Sequence, residues 1–191
     1  ADQWRDDDRR WGGIRRRALV LHPARPARHG LVHRPHRDTD VDEAESEIEL
    51  AHKINAEAPE VLAEKASQHN IPIIHFSTDY VFDGLKNEPY VETDQANPQS
   101  VYGQTKWEGE EAVRHHKKHI ILRTSWVFGS HGNNFLKTIL KLSQERSFLN
   151  VVSDQQGAPT SSEILADVTC SILKALFSDS EFKHFGTYHV T

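Results

Sequence analysis

The sequence predicts an α/β fold built on a parallel sheet, and three observations lead to this class. Helical and strand-like segments alternate along residues 38–191, as they do in folds with a parallel sheet. The strand-like segments are short, continuous apolar runs, which is typical of strands covered by helices on both faces. The chain has 191 residues, of which 37% are hydrophobic and 27% charged, and these values suit one globular domain.

The first half of the patterned region is predicted to run from helix into a buried strand. Residues 43–69 carry apolar side chains at helical spacing, and Pro59 is expected to break that helix or to begin a new one. Residues 71–76 form a short apolar strand, and Ser-Thr-Asp-Tyr at 77–80 follows its carboxyl end. Residues 83–99 are rich in Gly, Asn, Pro and acidic residues and are predicted to form a loop.

The second half repeats this alternation. A helix is predicted from about Ser100 to His116, and the next strand begins at residues 120–122. Residues 134–145 have helical spacing, and Val151 with Val152 suggests another short strand. A last helix is predicted from Ser161 to Leu176, with an apolar stripe formed by Ile164, Leu165, Val168, Ile172 and Leu176.

Residues 1–37 differ from the rest in composition. They hold 10 of the 13 arginines and no lysine, whereas residues 38–191 hold all 10 lysines. The only apolar run, residues 18–21, is followed by Pro23 and Pro26, which would interrupt a helix or a central strand. We interpret this segment as disordered or non-native sequence. A basic arm for nucleic acid or phosphate is the alternative, and interspersed aspartates weaken it.

Charge and cysteine usage exclude several classes of protein. A net charge of −5 and a pI near 6.2 argue against a general nucleic-acid binder. The sequence has no apolar run of about 18 residues, so no membrane span is expected. The single cysteine, Cys170, excludes an internal disulfide, favours a cytoplasmic location, and is predicted to be a buried, inert thiol. None of the 13 histidines has zinc-ligand spacing, so no metal site is predicted from them.

Tyr102 and Lys106 form the most informative pair in the sequence. Residues four apart on a helix share a face, so the Lys106 ammonium can lie near the Tyr102 phenol. A fixed cation lowers the pKa of a phenol, which is otherwise about 10, toward the range useful for proton transfer. A tyrosine and a lysine with this spacing also occur by chance on surface helices, so the pair alone is weak support.

A second element strengthens the prediction. Ser77 and Thr78 lie at the end of a predicted parallel strand, where open α/β sheets assemble their sites. A hydroxyl at this point can hydrogen-bond a substrate carbonyl and position it for reduction. The alternative is that the Ser-Thr-Asp sequence forms a helix cap or a turn.

Taken together, these residues match the Thr-Tyr-Lys triad of short-chain dehydrogenases, and longer strings narrow the match. The resemblance is to the dTDP-4-dehydrorhamnose reductase family, in the extended sugar-nucleotide subgroup, over residues 38–191. It implies a Rossmann-like parallel sheet flanked by helices, incomplete at the N-terminus, with part of a small C-terminal substrate-binding lobe. The strings that carry it are Ser77–Gly84, Ser100–Gly103, Arg123–Gly129, Gly132–Phe135 and Asp154–Thr160.

The resemblance implies a role for each residue of the catalytic group. Tyr102 would be the proton donor, and Lys106 would activate it and hydrogen-bond the nicotinamide ribose. Phe76 would contact the cofactor at its strand end. Thr78 would orient the keto group of the sugar, with Asp79 beside it contacting the substrate.

Further expectations follow from the same resemblance. Trp126 would pack near the sugar nucleotide, although an aromatic side chain at that point also suits a core or an interface. Glu163 corresponds in place to an acidic residue that binds Mg²⁺ at the dimer contact of some members. A solvated glutamate in the first turn of a helix is the stronger interpretation of Glu163. A homodimer is the assembly that the family suggests.

The implied reaction is reduction of dTDP-6-deoxy-L-lyxo-4-hexulose to dTDP-L-rhamnose with NADPH or NADH. One alternative is a non-catalytic partner of the same fold, similar to the β subunit of methionine adenosyltransferase. Another is an epimerase or dehydratase of the same superfamily. The sequence departs from the family at one point: the cofactor pattern Gly-x-x-Gly-x-x-Gly does not occur, and only Gly12, Gly13 and Gly30 precede residue 38.

Overall fold

The computed structural model describes residues 19–21, 40–132, 134–151 and 155–191. Its main element is a four-stranded sheet in which residues 19–21, 73–78, 119–124 and 186–189 lie side by side in this order, with every neighbouring pair of strands parallel. The predicted α/β class with a parallel sheet is therefore confirmed. The strands are β1 (Leu19–Leu21), β2 (Ile73–Thr78), β3 (His119–Thr124) and β6 (Gly186–His189).

Helices connect and cover these strands. Two further strands, β4 (Val127–Phe128) and β5 (Thr160–Ser161), pair in parallel as a separate small sheet. The helices are α1 (Asp40–Ser46), α2 (Ile48–His52), α3 (Ala58–Gln68), α4 (Val101–Arg114), α5 (Phe135–Glu145) and α6 (Ser162–Ser178). A π-helical segment (Lys53–Glu57) joins α2 to α3, and a 3₁₀ turn (Asp79–Val81) follows β2.

Local sequence signals explain where several helices begin. Pro59 lies in the first turn of α3, where its missing N–H costs no helical hydrogen bond. The side chain of Ser100 accepts a hydrogen bond from the Gly103 amide and caps α4. Asn134 caps α5 in the same way through the Lys137 amide. Each cap satisfies an amide that the first turn of a helix leaves without a partner.

Alternation along the strands divides the core into two faces. On one face, Ile73 and Ile121 pack against α3 and α4 through Ala63, Ala66 and Val113. On the other face, Ile74, Ile120 and Leu122 pack against α6, chiefly through Leu176 and the partly buried Ile172 and Leu173. The strands are apolar on both faces because both are covered, as the continuous apolar runs predict.

The structure corrects three expectations from the sequence. Residues 19–21 form a strand, whereas no regular element was expected there; β1 lies at the edge of the described sheet and pairs only with β2. Val151 lies in no strand, and the short strand of this region is β5, which forms where β4 supplies its partner; Val152 lies outside the described residues. Cys170 is exposed, because the inward position of this turn of α6 is taken by its neighbour Thr169.

Among the residues that the structure describes, no helix combines the length and apolar character needed to cross a bilayer.

Candidate active site

The predicted site residues meet at the carboxyl edge of the parallel sheet. β2 and β3 run in register, with Thr78 paired to Thr124 at their carboxyl ends. The turn after β2 and the segment after β3 therefore leave the sheet side by side. Trp126 follows two residues after the end of β3. This edge is where open α/β folds bind their ligands.

Thr78 ends β2 and organises the turn that follows it. Its hydroxyl accepts a hydrogen bond from the Tyr80 amide at 3.2 Å and donates one to Asp79 Oδ1 at 3.1 Å. The cap that the sequence offered as an alternative interpretation is therefore present in the structure. Burial raises the pKa of the Asp79 carboxyl, and the hydrogen bond from Thr78 partly opposes that shift.

Helix α4 presses its first turn against this same turn. The rings of Tyr80 and Tyr102 meet edge to face, with centroids 5.6 Å apart and planes at 84°. Gly103 lies so close to the turn that a Cβ there would overlap the carbonyl oxygen of Tyr80. Glycine is thus required at this position by a close backbone approach, and the approach fixes Tyr102 beside the end of β2.

Lys106 is anchored to the same strand one helical turn further along. Its Nζ donates a hydrogen bond of 2.7 Å to the carbonyl oxygen of Phe76. Burial lowers the pKa of the Lys106 ammonium to about 8, and the negative charge of Glu110 partly offsets this shift. Helix α4 thus contacts Phe76 through Lys106 and Tyr80 through Tyr102. Thr78 lies between these two contacts in the sequence.

Trp126 lies on the segment after β3, in a strained backbone conformation. Its φ of 43° is in the left-handed region, which a bulky side chain rarely adopts. The backbone of Gly157 lies against the indole, leaving no room for a Cβ, and the Phe135 ring is 5.9 Å away. Ser125 Oγ holds that loop by a 2.8 Å hydrogen bond to the Ala158 carbonyl. Trp126 as a whole remains 37% exposed.

Three buried polar groups near this edge were not predicted from the sequence. Both ring nitrogens of His75, the hydroxyl of Ser77 and the hydroxyl of Thr124 lack a hydrogen-bond partner within the structure. Burial, with a smaller contribution from the Lys106 charge, lowers the pKa of His75 to about 3, so this ring is neutral. These groups could have been predicted from the sequence, because a histidine and a serine stand inside an otherwise apolar strand. Unpaired buried polar groups suit a place where a polar ligand or water completes the hydrogen bonding.

A buried ion pair next to the site was also missed. Glu110, on α4, is fully buried and accepts hydrogen bonds from Arg123 Nε at 2.9 Å and Arg123 Nη2 at 2.7 Å. Arg114 Nη2 also binds Glu110, at 2.9 Å, and reaches Thr187 Oγ1 at 3.2 Å. The pair ties α4 to β3 and β6. The sequence feature that could have predicted this ion pair is the position of Glu110, one helical turn after Lys106 and on the same face of α4.

Glu163 lies exposed in the first turn of α6, where its amide donates to the capping Ser161 hydroxyl at 3.2 Å. This is the arrangement of the solvated helix-start glutamate that the sequence favoured. Within the described ranges, no group of three or more His, Cys, Asp or Glu side chains has an arrangement that could hold a metal ion.

The close approach at Gly103 gives a testable prediction. In an ordinary helix, Gly→Ala is stabilising by about 1 kcal/mol, but the Gly103→Ala methyl would meet the Tyr80 carbonyl. We expect Gly103→Ala to destabilise the chain by about 1–3 kcal/mol, measured by urea denaturation. Gln104→Ala, at the exposed neighbouring position of α4, is the control and should change stability little. A stabilised Gly103→Ala chain would show that the approach is looser than described.

The lowered pKa of Lys106 predicts a pH dependence of stability. Its pKa falls from 10.5 to about 8 on folding, so between these values the unfolded chain binds the extra proton. Stability from this group therefore increases as pH rises through that interval. Relative to Lys106→Met, the wild-type chain should gain about 1–2 kcal/mol between about pH 8 and pH 10. Urea denaturation measures this difference. Lys174→Met, an exposed position on α6, should show no such trend, and a pH-independent difference for Lys106→Met would contradict the prediction.

A covered parallel sheet whose carboxyl edge receives a strand-end threonine and a Tyr-x-x-x-Lys helix is the arrangement of the short-chain dehydrogenase/reductase fold. The profile of the family described as "RmlD substrate binding domain" matches residues 26–191. The chain belongs to this family.

Relatives and solved structures agree with the assignment. The chain is 46% identical over 153 residues to a dTDP-4-dehydrorhamnose reductase of Salmonella typhimurium, an alignment covering 80% of this chain and 50% of that protein. A crystal structure of a dTDP-4-dehydrorhamnose reductase from Clostridium acetobutylicum superposes with a TM-score of 0.71 at 46% identity, covering 80% of this chain and 52% of that one. The structure of a dTDP-4-dehydrorhamnose reductase from Bacillus anthracis in complex with NADP superposes with a TM-score of 0.69 at 42% identity. This match also covers 80% of this chain and 52% of that one. The chain thus spans about half the length of the curated relatives it matches.

Proposed function

We propose that this chain carries the catalytic centre of an NADPH- or NADH-dependent reductase that converts dTDP-6-deoxy-L-lyxo-4-hexulose to dTDP-L-rhamnose. The observation that carries the proposal is the pair of contacts that hold α4 on β2. They set Tyr102 and Lys106 on one helix face at the edge where Thr78 ends its strand. The names of the relatives support a reductase rather than the regulatory subunit considered from the sequence.

The described residues fit one end of a nicotinamide cofactor. Lys106 is a partly buried donor at the sheet edge, and the hydroxyls of Ser77 and Thr124, without a hydrogen-bond partner among the described residues, lie on the two strands beside it. Donors and acceptors of this kind suit ribose hydroxyls and a carboxamide, and Phe76 lies on the same strand. The pyrophosphate end needs a glycine-rich turn, and the sequence has no Gly-x-x-Gly-x-x-Gly.

A nicotinamide cofactor held beside Lys106 would supply the hydride for C4 of the sugar. Tyr102 donates its phenolic proton to the oxygen of that carbon, so the ketone becomes an alcohol and Tyr102 becomes a phenolate. The Lys106 ammonium, charged at neutral pH because its pKa is about 8, stabilises the phenolate and so favours proton release.

Three other residues would hold the substrate. Thr78 can direct its hydroxyl to the keto oxygen only by exchanging its bond to Asp79, which is 3.1 Å long in the structure. Asp79 would contact the sugar, and burial raises the pKa of its carboxyl. Trp126, an exposed residue, would cover the sugar nucleotide with its indole. The proposal requires no metal ion.

The proposal also includes a cellular location and an oligomeric state. A single cysteine, which cannot form a disulfide within the chain, supports a cytoplasmic location. A homodimer is the assembly that the family resemblance suggests, and size-exclusion chromatography with light scattering tests it directly.

The experiment has two stages. The chain is first titrated with NADPH and with NADH, following nicotinamide fluorescence. A hybrid enzyme is then built in which the Salmonella typhimurium relative supplies the regions that this chain does not span, and NADPH or NADH oxidation is measured with the dTDP-4-keto sugar. Ketone-dependent oxidation by the hybrid supports the proposal.

A folded hybrid without ketone-dependent oxidation would overturn the reductase proposal. Recovery of a stoichiometric enzyme partner by the same inactive hybrid would instead favour the regulatory-subunit alternative. A product in which the keto group is retained would favour the epimerase or dehydratase alternative.

A further inference from the structure

Glu110 has no assigned role in the proposed reaction, yet it is the most deeply buried acid in the described part of the chain, with no exposed surface. It lies four residues after Lys106 on α4, so the two side chains project from the same side of the helix. A buried carboxylate is costly unless it is paired and fully hydrogen-bonded. The pair with Arg123 meets this requirement and leaves a fixed carboxylate on the helix face that carries Lys106.

The two side chains are fixed on neighbouring strands. Lys106 Nζ binds the Phe76 carbonyl on β2 at 2.7 Å, and Glu110 binds Arg123 on β3 through two hydrogen bonds. In the register of the sheet, Arg123 is paired with Ser77, the residue after Phe76. The residues that hold Lys106 and Glu110, Phe76 and Arg123, therefore lie within one residue of each other along the sheet. A slide or rotation of α4 would break at least one of these hydrogen bonds.

Arg123 is itself held from several sides, which makes the carboxylate a fixed charge. Its guanidinium lies 4.9 Å from the Phe82 ring and 5.9 Å from the Trp107 ring. Its Nη1 is 3.5 Å from His189 Nε2 on β6. Because these contacts leave the guanidinium little freedom, Glu110 is held at a constant position relative to Lys106.

We infer that Glu110 is a positioning residue for the proposed reduction: through Arg123 it fixes the register of α4 on the sheet, and it holds a carboxylate on the helix face that carries Lys106. This role rests on the proposed function and deepens it. Burial lowers the pKa of Lys106, and the negative charge of the Glu110 carboxylate opposes that shift. Without that charge, less of the Lys106 population would be cationic at neutral pH, and the tyrosine would lose its activating partner.

Other charged or titratable groups on the elements packed against α4 define the electrostatic setting of Lys106. His75 is neutral at physiological pH, because its pKa is about 3. Arg123 and Arg114 are both paired with Glu110. Further titratable groups on these elements include Asp79 and Tyr80 on the turn after β2, Asp42 and Glu45 on α1, and Tyr102 on α4 itself. The helices α2 and α3 and the π-helical segment, which also pack against α4, add Glu49, His52, Lys53, Glu57, Glu60, Glu64 and Lys65.

The test measures the Lys106 pKa directly in the full 191-residue chain, by NMR titration of ¹³C-labelled lysine side chains, with Lys106→Arg to assign the resonance. In Glu110→Gln, which keeps a hydrogen-bonding side chain of the same length, we expect the Lys106 pKa to fall by about one unit. Glu110→Asp, which keeps the charge, should restore part of that loss. Glu111→Gln, an exposed neighbour that pairs with Arg114, should leave it unchanged.

A second variant guards against loss of the fold. If Glu110→Gln does not fold, Glu110→Asp is the fallback, because it keeps the charge that Arg123 needs and shortens the side chain by one methylene. A Lys106 pKa below the wild-type value in Glu110→Asp then supports the inference. An unchanged Lys106 pKa in folded Glu110→Gln, or in Glu110→Asp where Glu110→Gln does not fold, would overturn it and leave the ion pair a structural tie alone.

These readouts need no turnover, so their failure is distinguishable from a failure of the proposed function. In the hybrid enzyme, the same role predicts that Glu110→Gln shifts the alkaline limb of the pH–rate profile to lower pH. A purely structural role would lower the rate at every pH by the same factor.

Discussion

Replacing Tyr102 by phenylalanine is expected to lower ketone reduction by the hybrid enzyme by about 10²- to 10⁴-fold. The substitution removes only the phenolic oxygen, and the edge-to-face contact with Tyr80 is retained because it involves the rings. The variant cannot donate a proton to the developing alkoxide, whereas the protein surfaces that would contact the cofactor and the substrate are unchanged. The measurement is the initial rate of NADPH oxidation at saturating keto sugar.

Tyr80→Phe is the matched control for this prediction. Tyr80 lies against the same helix and shares the ring contact, but its own burial raises the pKa of its phenol, which makes it a poor proton donor. It should retain activity within a few-fold. Equal losses in the two variants would show that the ring packing, and not the Tyr102 hydroxyl, matters.

The second large effect concerns the buried ion pair. Glu110→Ala would leave the guanidinium of Arg123, which is 2% exposed, without its carboxylate. Breaking a buried pair from one side costs about 3–5 kcal/mol, so this change should unfold a large fraction of a marginally stable chain. Urea denaturation at constant pH, followed by circular dichroism, measures the loss.

Two comparisons isolate the cause of that loss. Glu111→Ala removes an exposed partner of Arg114 and should cost no more than about 1 kcal/mol. Glu110→Met with Arg123→Met replaces both charges by apolar groups and should come close to wild-type stability. If the double variant were as unstable as Glu110→Ala, the cost would come from lost packing instead of an unpaired charge.

The sequence by itself determined the fold class and most of the elements. Apolar runs with helical or continuous spacing are local signals, so β2, α4, β3, α5 and α6 begin and end within a few residues of their predicted bounds. The pairing of Tyr102 with Lys106 on one helix face is also local, because it follows from the 3.6-residue period. The motif strings identified the family, and the family profile confirms that assignment.

Predictions failed where the structure depends on a partner distant in sequence. β1 and β5 are strands of three and two residues, too short to leave a pattern, and each exists because another strand offers its hydrogen bonds. Cys170 was predicted to be buried because its helix is apolar, but the orientation of α6 on the sheet leaves this residue exposed.

Only the tertiary structure decided the electrostatic environment of the site. The Lys106 pKa depends on how far α4 buries its side chain and on which carbonyl receives it, and neither is encoded in the Tyr-x-x-x-Lys spacing. The same holds for Glu110, which is an ordinary helix glutamate in the sequence and a fully buried charge once α4 lies on β3. Periodicity specifies which residues share a face, whereas desolvation and charge pairing arise only when that face meets the residues brought to it by the fold.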